Sequence, residues 1–547
     1  MSAMPFAAGA ATTPVWNVMT GTVTKYVLLA VNIGLGIVLM PFTIRHLGTG
    51  AYGLWMLVAS LTYYFQLLDL GYGNGLVRHV AEADARGDVA GVNTILSTFV
   101  VVYAGLGLLA AAGTLGLIVW AVPRFPHLAA PDIRRAQLLL AIMGLRIAVG
   151  FPMTVFGAAT TARQRFALNN TVAIVVALVN GLVTYLVLAT GHGLVTLVAS
   201  TTAVGLASYA GYAWSARRAF PALRIRPSSF NRRLVRDVTT FSIYLFLIDI
   251  AIQIGFNLDT VVIGAALGTS AVAVYAVTLR IADYQRQLCN QFNGFLFPLA
   301  VRFGAGGRAD ALEAMLIDGT RIALLLVTGV TIGVIGFGGP LIARWMGPGF
   351  DAGVVPLYVL AVTGVVLVGQ GPLGSILLGT GHHRLVAYVS LGEAIANLGL
   401  SVLLVRRFGM LGVAIGTAVP VVLANLCLLL PVACREFQLR SLTFLRLVGA
   451  APAIGAVPAI AVCVLLRVAY PPASLVAILA ESALVGLVYL GAVCAFGFDP
   501  DVRARYLSHV RRVLHLPDGF RLPLGGADPC VGPGADTRVR PSEQGSH

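Results

Sequence analysis

Residues 94–121 read TILSTFVVVYAGLGLLAAAGTLGLIVWA, with no Asp, Glu, Lys or Arg anywhere in the run. As a helix rising 1.5 Å per residue it would be roughly 40 Å long. That exceeds the hydrocarbon core of a bilayer, about 30 Å. It lacks the apolar/polar alternation over about ten residues that marks a barrel strand. The rest of the chain follows the same rule. Of 547 residues, 58% are hydrophobic and 11% charged, with mean hydropathy +0.87. A soluble domain carries about 25% charge. The chain therefore reads as an all-α polytopic membrane protein.

Apolar runs recur along the chain. The first follows Lys25, the chain's only lysine, and ends at Ile44. The others cover about 53–76, 94–121, 137–160, 171–190, 195–215, 238–266, 271–301, 319–338, 354–380, 386–404, 411–433, 447–466 and 475–496. About fourteen transmembrane helices are expected. Residues 1–23 hold no Lys or Arg, so no cleavable signal is expected. The arginines gather in the even-numbered connections, most densely at 216–236, which holds Arg217, Arg218, Arg224, Arg226, Arg232, Arg233 and Arg236. By the positive-inside rule those connections and both termini are cytoplasmic. The net charge of +15 is thus read as a topology signal beside anionic lipid, with no nucleic acid partner. Six Cys form no Cys-x-x-Cys pair and read as small core residues.

Residues 47–55 read LGTGAYGLW and residues 267–275 read LGTSAVAVY. Leu, Gly, Thr and Ala match at an offset of 220, and Trp55 meets Tyr275. Six spans separate the two stretches. Two parallel six-helix repeats, related by an axis along the membrane normal, would give this pattern. The expected units are an N-terminal lobe over 24–217, a basic linker over 218–236, a second lobe over 237–433, and two extra helices within 447–496. Residues 497–547 are expected to be a cytoplasmic tail, largely disordered because of their Gly, Pro and charge content. Within it, 501–514 has the pattern of a basic amphipathic helix on the membrane surface.

The stretches PFTIRHLGTGAYGLW (41–55), LLDLGYGNGLVRHVAEADARGD (67–88) and NLDTVVIGAALGTSAVAVYAVTLRIADY (257–284) resemble bacterial polysaccharide flippases. These belong to the multidrug/oligosaccharidyl-lipid/polysaccharide exporter superfamily. The resemblance spans about 24–496. It implies two six-helix lobes facing each other across a central cavity, followed by two additional helices. It also implies movement of undecaprenyl-pyrophosphate-linked oligosaccharide from the inner to the outer leaflet of the bacterial inner membrane. The implied partners are that lipid-linked substrate, membrane lipids and the polysaccharide polymerase machinery.

Ionisable groups inside a bilayer must face a cavity or a partner. On the second span Thr62, Gln66, Asp69 and Gly73 share one face; on the seventh Asp249, Gln253 and Asn257 recur at helical spacing. The eighth carries Arg280, Asp283 and Gln287, and Gln285, Arg286 and Asn293 make its second half polar nearly all round. These helices are expected to line the cavity. A pyrophosphate calls for cations, and Arg binds phosphate oxygens with two parallel bonds while keeping its charge. The candidate ligands are Arg146, Arg280, Arg286 and Lys25, with Gln66, Gln253 and Asn257 beside them. Arg280 and Asp283, three residues apart, are also placed to pair with each other. Asp249 and Asp69 are the candidates for coupling to an ion, while Asp259 and Glu393 read as structural contacts.

No nucleophile–base pair, metal-ligand cluster or Walker-type loop is present, so no enzyme activity, metal or cofactor is expected. A multidrug or other organic-cation extruder of the same superfamily is the alternative. A membrane polysaccharide polymerase or ligase is more remote, because no outer loop exceeds about 15 residues, an ordinary length for a connection.

Overall fold

The computed structural model describes residues 13–236, 238, 258–293 and 296–498. Within these, all regular structure is helical. The first half contains α1 (Thr13–Leu47), α2 (Thr49–Tyr63), α3 (Tyr72–Ala85), α4 (Val89–Gly116), α5 (Ala130–Ala162), α6 (Phe166–Ala189) and α7 (Leu194–Ala219). The second half begins with α8 (Leu258–Leu267). It continues with α9 (Thr269–Asn293), α10 (Leu296–Ala305), α11 (Ala309–Trp345), α12 (Val354–Gly369), α13 (Gly371–Gly379), α14 (His383–Leu423), α15 (Leu430–Glu436), α16 (Ser441–Ala469) and α17 (Leu475–Ala492). Ten of the described helical stretches are long and apolar enough to cross a membrane. The expected tail beyond Phe498 lies outside the described residues.

The helices sort into two packed sets. In the first, α5 lies against α4 and α7, α1 lies against α6, and α3 bridges α4 and α5. In the second, α12 packs on α9, α11 and α14, while α16 and α17 lie along α11. The sets meet chiefly where α2 lies on α9. Met40, Ile44 and Tyr52 from one side close over Ala273, Val277, Ile281, Ile342 and Trp345 from the other. The Trp345 indole N–H donates across this seam to the Ile37 carbonyl at 2.7 Å.

The repeat read from the sequence has a local counterpart. Gly48 takes φ 80° and Gly268 takes φ 83°. Each sits in the single-residue turn that reverses the chain into α2 or α9, where a Cβ would be strained.

Several spans that read as continuous are broken. The run 53–76 passes from α2 through a 3-10 turn over Tyr64–Asp69 and restarts as α3. Leu70 (φ 52°) and Gly71 (φ 74°) are left-handed at the break. Such backbone is costly for a leucine and marks a constrained site. The break of α14 at Gly409, which takes φ 56° and ψ −136°, falls between the separate runs 386–404 and 411–433, whereas the run 354–380 is divided at Gln370. Hydropathy averages over the breaks within a run, because the residues on both sides are equally apolar.

Candidate functional site

The break between α2 and α3 opens onto a cavity of about 770 Å³. Its walls come from the break and start of α3, from the second half of α5, and from the second half of α7. Two apolar clusters fix its position along the bundle. Leu54, Val58, Val122, Leu139 and Leu194 gather at the end carrying the α1–α2 turn. Tyr72, Leu76, Phe99, Val155 and Phe220 gather at the opposite end. The cavity belongs to this second end, away from the seam between the two sets.

Asp69 sets the chemistry of the floor. Its Oδ1 accepts from the buried Tyr103 hydroxyl at 2.6 Å, and its Oδ2 accepts from the Gly73 N–H at 3.2 Å. The second bond secures the restart of α3. Tyr103 continues an aromatic row, stacked on Phe151 with centroids 6.2 Å apart and tilted against Phe99 at the same distance. Above the floor, Gln66 and Asn74 are exposed to the cavity, and Thr154, Thr161 and Asn169 join the wall. Tyr209 and Tyr212 complete it from α7, three residues apart on one helix face. The Tyr209 hydroxyl donates to the Arg146 carbonyl at 3.2 Å and rests where Gly150 lacks a side chain. Pro152 leaves the Ala148 carbonyl without its helical donor. Gly107 of α4 approaches that carbonyl closely.

Gln66, Asp69 and Gly73 all line this one cavity. Thr62 does not. It is buried and donates to the Val58 and Ala59 carbonyls of its own helix.

The candidate cations stand elsewhere: none of Lys25, Arg146, Arg280 or Arg286 is among the residues lining this cavity. Lys25 is on the exposed face of α1. Arg146 lies against α7, where a Cβ on Gly205 would come within 2.6 Å of its guanidinium carbon. Arg280 is exposed and lies 5.9 Å from the Tyr284 ring centroid. Tyr284 in turn reaches Gly36 of α1 at the seam. Arg286 Nη2 pairs with Asp283 Oδ1 at 2.7 Å, so Asp283 bonds Arg286 and not Arg280. Asp249, Gln253 and Asn257 lie outside the described residues.

The second set places Asp259, read from the sequence as a structural contact, in a polar cluster. Asp259 is 3% exposed. Its Oδ2 accepts from Thr417 Oγ1 at 2.8 Å and Tyr275 Oη at 3.1 Å. Thr417 also reaches the Asn397 amide oxygen at 3.3 Å, and Ser401 Oγ donates to that oxygen at 3.0 Å. The Val413 carbonyl accepts from both hydroxyls. A carboxylate, an amide oxygen, three hydroxyls and a main-chain carbonyl form a compact oxygen set, the donor type that takes a proton or a small hard cation. The available signal was the spacing, with Asn397/Ser401 and Val413/Thr417 each one helical turn apart. Linking them to Asp259 required the bend at Gly409, which no periodicity announces. Among the described residues no group of three or more His, Cys, Asp or Glu gathers as a metal site.

Residues 21–303 match the family model described as polysaccharide biosynthesis protein. The uncharacterized membrane protein EpsK of Bacillus subtilis is 22% identical over 401 residues, covering 72% of this chain and 78% of that one. The probable low-salt glycan biosynthesis flippase Agl15 of Haloferax volcanii is 22% identical over 206 residues, covering 38% and 43%. Among solved structures, the lipid II flippase MurJ in an inward closed conformation superposes with TM-score 0.66 at 13% identity, over 91% of this chain and all of that one. An inward-facing multidrug resistance MATE transporter gives 0.63 at 14% identity, over 75% and 94%. The fold is that of the exporter superfamily the sequence resembles, and this multi-pass membrane protein belongs to the polysaccharide biosynthesis protein family.

Proposed function

We propose that the chain is a transporter that flips undecaprenyl-pyrophosphate-linked oligosaccharide from the cytoplasmic to the outer leaflet by alternating access. The observation that carries this reading is the cavity of about 770 Å³ at one end of the first helix set, while the two sets are seated on each other at the opposite end. A carrier caught open to one side has this form. Membership of a polysaccharide biosynthesis family favours a glycan cargo over a drug. The named flippase relatives point the same way.

The chain is assigned about fourteen spans, and the ten long stretches support part of that count. His383–Glu436 is one of them; its 54 residues reach roughly 80 Å, more than twice the bilayer core, and Gly409 divides it into two passes. The runs 53–76, 238–266 and 271–301 are counted as three more. The units are then lobes over 24–217 and 237–433, a linker over 218–236, extra helices within 447–496 and a tail over 497–547. With the arginine-rich connections inside, the termini are cytoplasmic, the membrane is the bacterial inner membrane, and the cavity opens to the cytoplasm. Arg146, Arg280 and Arg286 are assigned to the pyrophosphate, with Lys25 beside them. Ion coupling is assigned to Asp259 ahead of Asp69 and Asp249. Delivery to the polymerase machinery completes the pathway, with no chemical step in this chain.

Deleting the gene tests the reading. Surface polysaccharide should be lost while lipid-linked precursor accumulates on the cytoplasmic leaflet, and the intact gene should restore export. Normal surface polysaccharide together with raised sensitivity to organic cations would instead favour the extruder.

A further inference from the structure

We propose that the cavity beside the α2–α3 break is a carbohydrate subsite, which holds the glycan of the substrate while the pyrophosphate is held outside it. The inference rests on the flippase reading above and assigns one part of the substrate to one part of the protein.

The lining decides the chemistry. Among the described residues that line the cavity there is no Lys, Arg or His, and Asp69 is the one carboxylate. A pyrophosphate placed there would meet a like charge and no cation among those lining side chains. A glycan presents the opposite demands. Its hydroxyls need neutral donors and acceptors, and the C–H faces of its rings need flat apolar surface. Gln66 and Asn74 supply amides that both donate and accept. Tyr209 and Tyr212 supply rings whose negative faces attract C–H groups, with hydroxyls at their tips. The volume lies within the range of small-molecule sites, roughly 300–1,000 Å³.

Asp69 is held in place to accept from a sugar hydroxyl. Each of its oxygens already accepts a hydrogen bond, from Tyr103 and from the Gly73 N–H. Those bonds fix the carboxylate and leave its remaining lone pairs to accept from a neutral hydroxyl. The broken helix adds access. Gly71 and Gly73 bring backbone to the cavity wall without a side chain in front of it.

The test uses the full-length protein in lipid nanodiscs with three probes: bare undecaprenyl pyrophosphate, the glycan-bearing undecaprenyl pyrophosphate that accumulates in cells lacking the gene, and tetraphenylphosphonium. Wild type should bind the glycan-bearing lipid more tightly than the bare one. Tyr212→Ala and Asn74→Leu should each cut that preference about tenfold, the scale of one lost stacking or hydrogen-bonding group, mainly by weakening the glycan-bearing lipid. Tyr212→Phe keeps the ring and should retain most of the preference, which separates stacking from misfolding. Equal weakening of both lipids by Tyr212→Ala and Asn74→Leu would overturn the subsite, as would tetraphenylphosphonium binding that Tyr212→Ala abolishes. Wild type binding both lipids equally would remove the subsite and leave the flippase reading standing. Binding of neither lipid would remove both.

Discussion

Gly53 stands against Ala273, the residue 220 positions later in the chain. A Cβ on Gly53 would fall 3.2 Å from the Ala273 nitrogen and 2.6 Å from the Thr269 carbonyl carbon. One turn earlier Gly50 faces Ser270, again its counterpart at the same offset, with a Cβ 4.0 Å from the serine oxygen. Contact between counterparts is what a two-fold relation between two repeats produces. The weak sequence repeat therefore marks the seam on which the two helix sets are joined.

That seam is testable by cross-linking. In a background with the native cysteines replaced, Gly50→Cys with Ser270→Cys should form a disulfide under mild oxidation, since a Cβ at position 50 already lies 4.0 Å from the Ser270 oxygen, which a cysteine sulfur would replace. The cross-link should hold this end shut, stop export, and release it on reduction. Full export by the cross-linked protein would sink alternating access at this seam.

Arg163 should be the arginine whose loss costs most stability at the opposite end. It grips Asp84 through two nitrogens at 2.6 and 3.0 Å, donates to the Ala219 carbonyl at 2.6 Å, and lies 4.2 Å from the Phe220 ring centroid. The pair is 31% and 25% exposed, so water screens it only partly. Arg163→Ala should cost about 2–3 kcal/mol, the scale of a charged hydrogen-bonded pair broken on one side. Arg163→Lys should recover part of it. The Arg78–Glu82 pair is 55% and 45% exposed. Arg78→Ala should cost under about 1 kcal/mol. Thermal melts in detergent compare the three, and equal losses for Arg163→Ala and Arg78→Ala would refute the ranking.

The contrast between these arginines shows what the sequence carries. Apolar runs specify helices because every backbone group must be satisfied inside the bilayer, so the all-helical fold was legible. Gln66, Asp69 and Gly73 do meet, but across the break: Gln66 and Asp69 lie in the 3-10 turn and Gly73 beyond it, while Thr62 on the regular helix faces elsewhere. Partners across the fold were not legible. Arg280 and Arg286 are both three residues from Asp283, and only the structure selects Arg286. Asp259 reads as a structural contact with no partner named, and the structure supplies Thr417 and Tyr275 as its partners.

Asp259 carries the third expectation. If its oxygen set holds Na⁺, the melting temperature should rise in NaCl relative to choline chloride at equal ionic strength. A site at a hundred times its dissociation constant gains about 2.7 kcal/mol. Asp259→Asn should abolish the difference, and Thr417→Val should reduce it. Identical melting in both salts would exclude a sodium site there.

The arginines of α9 give the last expectation. Arg280 is exposed, lies by the Tyr284 ring, and has its neighbouring acid taken by Arg286. Its five donors are thus the better placed of the two to meet a pyrophosphate arriving at the seam. Arg280→Gln should abolish export at matched membrane abundance. Arg280→Lys should recover only part, because a point charge lacks the planar fork. Arg286 is bonded to Asp283 at 2.7 Å, so a structural role competes with a ligand role there. Removing Arg286 alone leaves Asp283 charged in the helix, at a cost unrelated to substrate. The double variant Arg286→Gln with Asp283→Asn removes both charges and separates the two roles. Recovery of export in the double variant would make the pair structural and leave Arg280 as the cation of this helix. Continued loss, with normal folding and abundance, would assign Arg286 to the substrate as well. Wild-type export from Arg280→Gln would end the phosphate role for that residue and leave Arg146, against Gly205, as the next cation to test.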